Sequence, residues 1–130
     1  MSNPISIYLP LNTYINVKGF TDSAFMQQVT IVDETGASHT MQGNGEHETP
    51  MQNGSYAFTT PSTSKDPAGF QLTITVQSQQ GGQWVPSQVT SGKTSLMYYN
   101  MVLVVSEDYT DNDWNDAVVQ FSWWTQPQYR

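Results

Sequence analysis

Phe70-Gln71-Leu72-Thr73-Ile74-Thr75-Val76 puts an apolar residue at every second position. Successive side chains of a β-strand point to opposite faces, so Phe70, Leu72, Ile74 and Val76 line one face and the polar residues the other. The same period recurs on either side. Downstream, Gly81-Gly82 turns the chain into Trp84 to Thr90, where Pro86, lacking a backbone donor, suits an edge or a bulge. Upstream, Ile5 to Leu9 alternates and stops at Pro10, and Tyr14 to Phe20 alternates with Ile15, Val17 and Gly19 on one side. Val29 to Val32 ends at the turn Asp33-Glu34-Thr35-Gly36, and Ser38 to Met41 returns as a hairpin. Residues 43 to 54 and Pro61 to Gly69, rich in Gly, Pro and polar residues, read as loops around a short strand, Ser55 to Thr59. Two more apolar runs, Tyr98 to Val105 and Ala117 to Trp124, are short and rich in Val, Phe, Trp and Tyr. The expectation is all-β: an antiparallel β-sandwich of about nine short strands forming a single domain over residues 1–130.

Composition narrows the function classes. The chain of 130 residues has no Cys, which removes disulfides and thiolate metal sites. Its net charge of −7, with only Lys18, Lys65, Lys93 and Arg130 positive, argues against nucleic acid and against anionic membrane surfaces. No apolar window approaches a membrane span and no classical signal peptide is visible, so a soluble protein is expected, with export by another route left open.

The charge is local. Glu107, Asp108, Asp111, Asp113 and Asp116 put five of the eleven acids into one segment free of Lys, Arg and His, between the last two apolar runs. Two carboxylates about 5 Å apart repel by roughly 3 kcal/mol at an effective dielectric of 20. Protons or a cation must neutralise such a group. Asp111, Asp113 and Asn115 at alternate positions, with further carboxylates beside them, form the oxygen-only set that calcium prefers, and the absence of His disfavours zinc and copper. An EF-hand is excluded: its glycine position is Asp116, its twelfth position is Ser122, and the flanks read as strands. The bland alternative is a solvated acidic loop, but such loops seldom lie between apolar strands with a Trp inside.

The run Ser106-Glu107-Asp108-Tyr109-Thr110-Asp111-Asn112-Asp113-Trp114-Asn115-Asp116-Ala117-Val118-Val119 resembles the signature of the LecB-type calcium-mediated bacterial fucose/mannose-binding lectins. Leu9-Pro10-Leu11-Asn12-Thr13, with Val17, Phe20 and Asp22-Ser23, is similar to that family's opening strand pair and specificity loop. The resemblance covers the two ends of the chain; residues 33 to 95 align only loosely. It implies two adjacent Ca²⁺ ions that coordinate sugar hydroxyls directly. It also implies a ligand set of Glu107, Asp111, Asp113, Asn115 and Asp116, with Asp113 and Asp116 bridging both ions and Asp22 standing where the family has an Asn ligand. Asp108 matches a carboxylate that accepts from a sugar hydroxyl, and Ser23, Ala24 and Phe25 fall on the loop that sorts fucose from mannose. A homodimer or higher homo-oligomer is implied as well.

Two departures stand out. The family ends near the position of Gln126 with a carboxylate that reaches a neighbouring subunit's calcium, whereas this chain continues through Pro127-Gln128-Tyr129-Arg130. The charge of Asp22 matches the charge lost there. Phe25 replaces a smaller residue and leaves three readings open: stacking on the sugar, blocking the site, or packing inward. Elsewhere, Glu46-His47-Glu48 reads as a solvated loop, Lys65-Asp66-Pro67 as a turn, and Trp84, Trp114, Trp123 and Trp124 as core or sheet-face residues, with sugar stacking as the rival. The expected function is a calcium-dependent lectin binding a fucose- or mannose-type monosaccharide or terminal glycan. The alternatives are an adhesive domain stiffened by calcium and a calcium-dependent carbohydrate-active enzyme. The enzyme is disfavoured because metal-clamped carboxylates make poor general acids.

Overall fold

The structure is a computed structural model that describes residues 3–108 and 114–125. Its strands are β1 (Ile5–Leu9), β2 (Tyr14–Asp33), β3 (Ser38–Thr59), β4 (Phe70–Gln80), β5 (Gln83–Pro86), β6 (Gln88–Leu96), β7 (Tyr99–Glu107) and β8 (Ala117–Trp124). All neighbouring pairs are antiparallel, in the order β1-β4-β2-β8-β7-β6, with β3 against β2 and β5 against β4. The all-β antiparallel expectation is therefore what the chain adopts. The count falls to eight among the described residues because two strands are long.

Residues 43 to 54 are not the expected loop: they continue β3, which pairs with β2 from Tyr14↔Thr59 to Val32↔Ser38. Gly and Asn in that stretch misled because they serve bulges within the ribbon, not its end. Register shifts fall between Lys18 and Phe20, between Thr21 and Ser23, and between Ser23 and Gln27. Bulges bend a ribbon sharply, and the partners show the consequence. Asn16 to Thr21 of β2 pair with β8, whereas Gln27 to Asp33 pair with β4. One hydrogen-bonded sheet is thus continuous across β2, which changes partner at residues 22–26. Contact between β1 and β6 brings the ends of the strand order together, so the sheet nearly closes on itself.

A single apolar cluster fills the interior. Leu9, Ile15, Val17, Val29, Ile31, Leu72, Ile74, Val76, Val104, Val119 and Phe121 are all buried in it. The alternation of β4 survives intact: its even-numbered residues 70 to 78 are buried and the odd ones between are only partly so. Gly19 has a steric role at the bend, since a Cβ there would run into the Met41 side chain. Gly81 and Gly82 have φ of 58° and 79° and form a two-residue turn between the paired Gln80 and Gln83, a conformation β-branched or bulky residues resist. Pro86 ends β5, which among the described residues pairs only with β4, so its missing donor is harmless. Trp123 is buried in the core, but Trp124 is 63% exposed and lies against Tyr99 with ring centroids 4.8 Å apart.

Candidate functional site

Three segments converge at one end of the sheet: the end of β7, the start of β8 and the bend of β2. Ser106, fully buried, closes the neck. Its Oγ accepts from the Ala117 amide (3.0 Å) and donates to the Ala117 carbonyl (3.2 Å), and its own carbonyl accepts from the Asp116 amide at 3.2 Å. The bend of β2 docks on this neck. Thr21 Oγ1 donates to the Asp116 carbonyl at 2.5 Å, and the Asp22 amide lies 3.2 and 3.3 Å from the carbonyls of Asn115 and Asp116. A short hydroxyl side chain at each joint lets polar backbone stay paired where the ladder stops.

This framework forces acids together. Carboxylate oxygens of Glu107, Asp108 and Asp116 all lie within 4.8 Å of one another. Glu107 is 2% exposed and Asp116 5%, so water does little to screen them. Burial, then the Glu107 carboxyl against it, pushes the Asp116 carboxyl up from 3.8 to about 9, against the Asp108 amide donating to its Oδ2 at 2.7 Å. Without a cation, the cluster holds a proton at neutral pH.

Asp108 is aimed by neutral donors. Its Oδ2 accepts from Ser23 Oγ (3.1 Å) and from Gln27 Nε2 (2.9 Å), and its backbone carbonyl accepts from Gln80 Nε2 at 3.3 Å. Asp22 stands on the other side: its Oδ2 accepts from Asn115 Nδ2 at 3.1 Å and its Oδ1 from the His47 amide at 3.1 Å. Among the described residues, Asn115 Oδ1 is buried without a hydrogen-bond partner. An orphaned carbonyl oxygen beside buried carboxylates is a poor arrangement for a bare protein. It suits a hard cation that takes oxygen ligands.

Of the residues singled out in the sequence, Glu107, Asp108 and Asp116 form one cluster; Asn115 and Asp22 bond to each other beside it; Ser23 bonds to Asp108. Ser23, Ala24 and Phe25 lie within β2 at its bulges, so the expected specificity loop is a kinked strand segment. Phe25 is 37% exposed, so part of its ring is open to solvent at the kink. Asp111 and Asp113 lie outside the described residues, as does the extension beyond Thr125.

Gln27 was missed. It is fully buried, and its Nε2 also reaches Ser23 Oγ at 3.2 Å and the Phe25 carbonyl at 3.2 Å. An amide at an inward position of a strand was the available signal. The segment Glu46-His47-Glu48 is exposed to solvent as expected, but it is part of β3 and not a loop: it lies beside Asp22, with φ of 64° at His47 and 58° at Glu48, and Asn44 Nδ2 donates to the Ala24 carbonyl at 3.3 Å.

The antiparallel strand frame that carries this cluster of oxygen donors at the mouth of one hairpin is shared by known lectin structures. A high-affinity mannose-binding lectin of Ralstonia solanacearum superposes with a TM-score of 0.74 at 27% identity, covering 93% of this chain and 96% of that one. The Chromobacterium violaceum lectin CV2L, solved with alpha-methyl-fucoside, gives 0.73 at 22% identity with the same coverages. The C-terminal domain of the Burkholderia cenocepacia lectin BC2L-C gives 0.70 at 20%, covering 97% and 100%. At those identities the last two establish the fold alone. The chain belongs to the fucose-binding lectin II (PA-IIL) family, which it matches over residues 7–125. Members of that family bind carbohydrate and are not enzymes. No curated protein sequence matches the chain.

Proposed function

We propose that the protein is a calcium-dependent lectin for fucose- or mannose-type monosaccharides, with two adjacent Ca²⁺ ions held between β7 and β8. The observation that supports it most is the cluster of Glu107, Asp108 and Asp116, within 4.8 Å, beside the orphaned Asn115 oxygen. The proposed ligands are Glu107, Asp111, Asp113, Asn115 and Asp116 together with Asp22. Calcium, when bound, offers open positions to neutral hydroxyl oxygens.

The protein's own residues then orient the sugar. Asp108, held by Ser23 and Gln27, accepts a hydrogen bond from a hydroxyl, a charge-assisted bond about twice as strong as a neutral one. Ser23, Ala24 and Phe25, fixed in the kink of β2, set which hydroxyl pattern fits. The pairing of Asp22 with Asn115 beside the cluster supports Asp22 as a further anionic ligand. Association into a homodimer or larger homo-oligomer is part of the proposal, since paired sites would raise avidity for a glycan surface.

Glycan-array binding in calcium and in chelator tests the reading. Binding of fucosylated or mannosylated glycans that disappears in chelator and returns with calcium is expected. Calcium-dependent stabilisation with no sugar bound would leave calcium a structural role and end the lectin proposal.

A further inference from the structure

Far from the acid cluster, the interior opens at the β2–β3 edge. In an antiparallel pair, opposed residues share a face, and Val17↔Tyr56, Ile15↔Phe58 and Ile31↔His39 are such pairs. Val17, Ile15 and Ile31 are core residues, so Tyr56, Phe58 and His39 also point inward, at the rim where the two arms of β3 face each other. His39 stacks on Tyr56 with centroids 3.7 Å apart and planes at 25°, and Tyr56 lies 6.0 Å from Phe58 at 22°. Next to this aromatic row is a cleft of about 400 Å³, with Ile31, Phe70 and Leu72 in its lining and Asp33 at its edge. That volume falls in the range of small-molecule sites. Along β2, Ile31 is eight residues from Ser23, roughly 25 Å of extended strand before the bend shortens it.

Both margins of the cleft are fixed in advance. Asp33 Oδ1 accepts from the Thr35 amide (2.8 Å), Thr35 Oγ1 (2.6 Å) and the Ala37 amide (3.2 Å). Its Oδ2 accepts no hydrogen bond among the described residues. Glu34 clips the opposite margin: its carboxylate accepts from Ser64 Oγ at 2.7 Å and from the amides of Lys65 (2.8 Å) and Gln71 (3.0 Å), anchoring the segment that begins at Pro61. A preformed site loses little ordering entropy on binding. The lining carries one carboxylate and no Lys or Arg. The negative charge is felt inside: burial first, then Asp33, pushes the Tyr56 hydroxyl up to about 12.

We propose that this cleft binds a small organic cation with a flat aromatic body, an arylalkylamine in chemical class, its ring against Tyr56 and Phe58 and its ammonium on Asp33 Oδ2. The apolar lining and aromatic row reward a ring. The spare carboxylate oxygen rewards a cation and repels an acid of the same shape. The site is independent of calcium and sugar.

The test is a titration of calcium-saturated protein with tryptamine, followed by amide resonances, with indole-3-propionate and butylamine as probes lacking the cation and the ring. Saturating calcium neutralises the acid cluster as a rival for cations. Shifts are expected at Ile31, Asp33, Tyr56, Phe58 and Leu72, with tryptamine binding about tenfold or more tighter than either control. Asp33→Asn keeps an Oδ1 acceptor for the turn but loses the charge, and is expected to bind tryptamine about tenfold more weakly with sugar binding unchanged. Should that variant fail to fold, Phe58→Ala is expected to show the same loss. No shift up to about 1 mM, shifts confined to residues 22–27 and 105–116, equal binding of indole-3-propionate, or undiminished binding by the variants would overturn the proposal.

Discussion

Replacing Asp116 by Asn separates a metal site from a merely crowded acidic corner, because the two predict opposite signs. At 4.8 Å and an effective dielectric of 20, each ionised pair among Glu107, Asp108 and Asp116 costs about 3.5 kcal/mol. Three ionised pairs would reach about 10 kcal/mol, comparable with the whole stability of a domain. The chelated protein avoids this by protonating Asp116, whose pKa stands at about 9. Protonating at pH 7 a carboxyl whose ordinary value is 3.8 has a penalty of about 4 kcal/mol, which an amide of the same shape escapes. With some loss from imperfect hydrogen bonding, Asp116→Asn is expected to be more stable than the parent in chelator by about 2–3 kcal/mol, a rise of roughly 10 °C in Tm. In millimolar calcium the order is expected to reverse, since on the proposed calcium site the parent would gain from the ion and the variant would gain little. Thermal melts of both proteins in chelator and in calcium measure all four values. A variant less stable than the parent in chelator, with an undiminished response to calcium, would refute the reasoning.

Other consequences follow from the same geometry. The raised pKa of Asp116 means the chelated folded state holds a proton the unfolded chain has released above pH 4. Stability in chelator is therefore expected to fall as pH rises from about 4 to about 9, with a flatter profile in calcium; a flat profile in chelator would count against the shared proton. Asp22→Asn, which keeps the size of the side chain but removes its charge and one of its two acceptors, should weaken calcium binding about tenfold or more by calorimetry, and unchanged affinity would rule out Asp22 as a ligand. Gln27→Leu removes the 2.9 Å donor to Asp108 and should reduce sugar affinity severalfold while leaving calcium affinity nearly intact, a split visible by titrating each ligand. Phe121→Ala deletes a fully buried ring at the centre of β8, with an expected loss of about 3–5 kcal/mol by denaturant unfolding; a loss below about 1 kcal/mol would show that the core is not packed as described.

Strand period two needs only local order to be seen, so Phe70 to Val76 and the β8 boundaries, Ala117 to Trp124, were legible from the chain alone. The acids of residues 107 to 116 were legible for a similar reason: adjacency in sequence guarantees proximity. What the alternation does not encode is where a ribbon bends. Bulges depend on partners far along the chain, so residues 43 to 54 looked like a loop when they continue a strand, and Ser23 to Phe25 looked like a loop when they form its kink. Only that kink brings Ser23 and Gln27 against Asp108, some eighty positions away, and lays Asp22 on Asn115. Sequence determined the regularly alternating strands and the charge they flank; the folded sheet decided where the long ribbon bends and which neutral donors aim that charge, because hydrogen-bond geometry is set by separation in space and not along the chain.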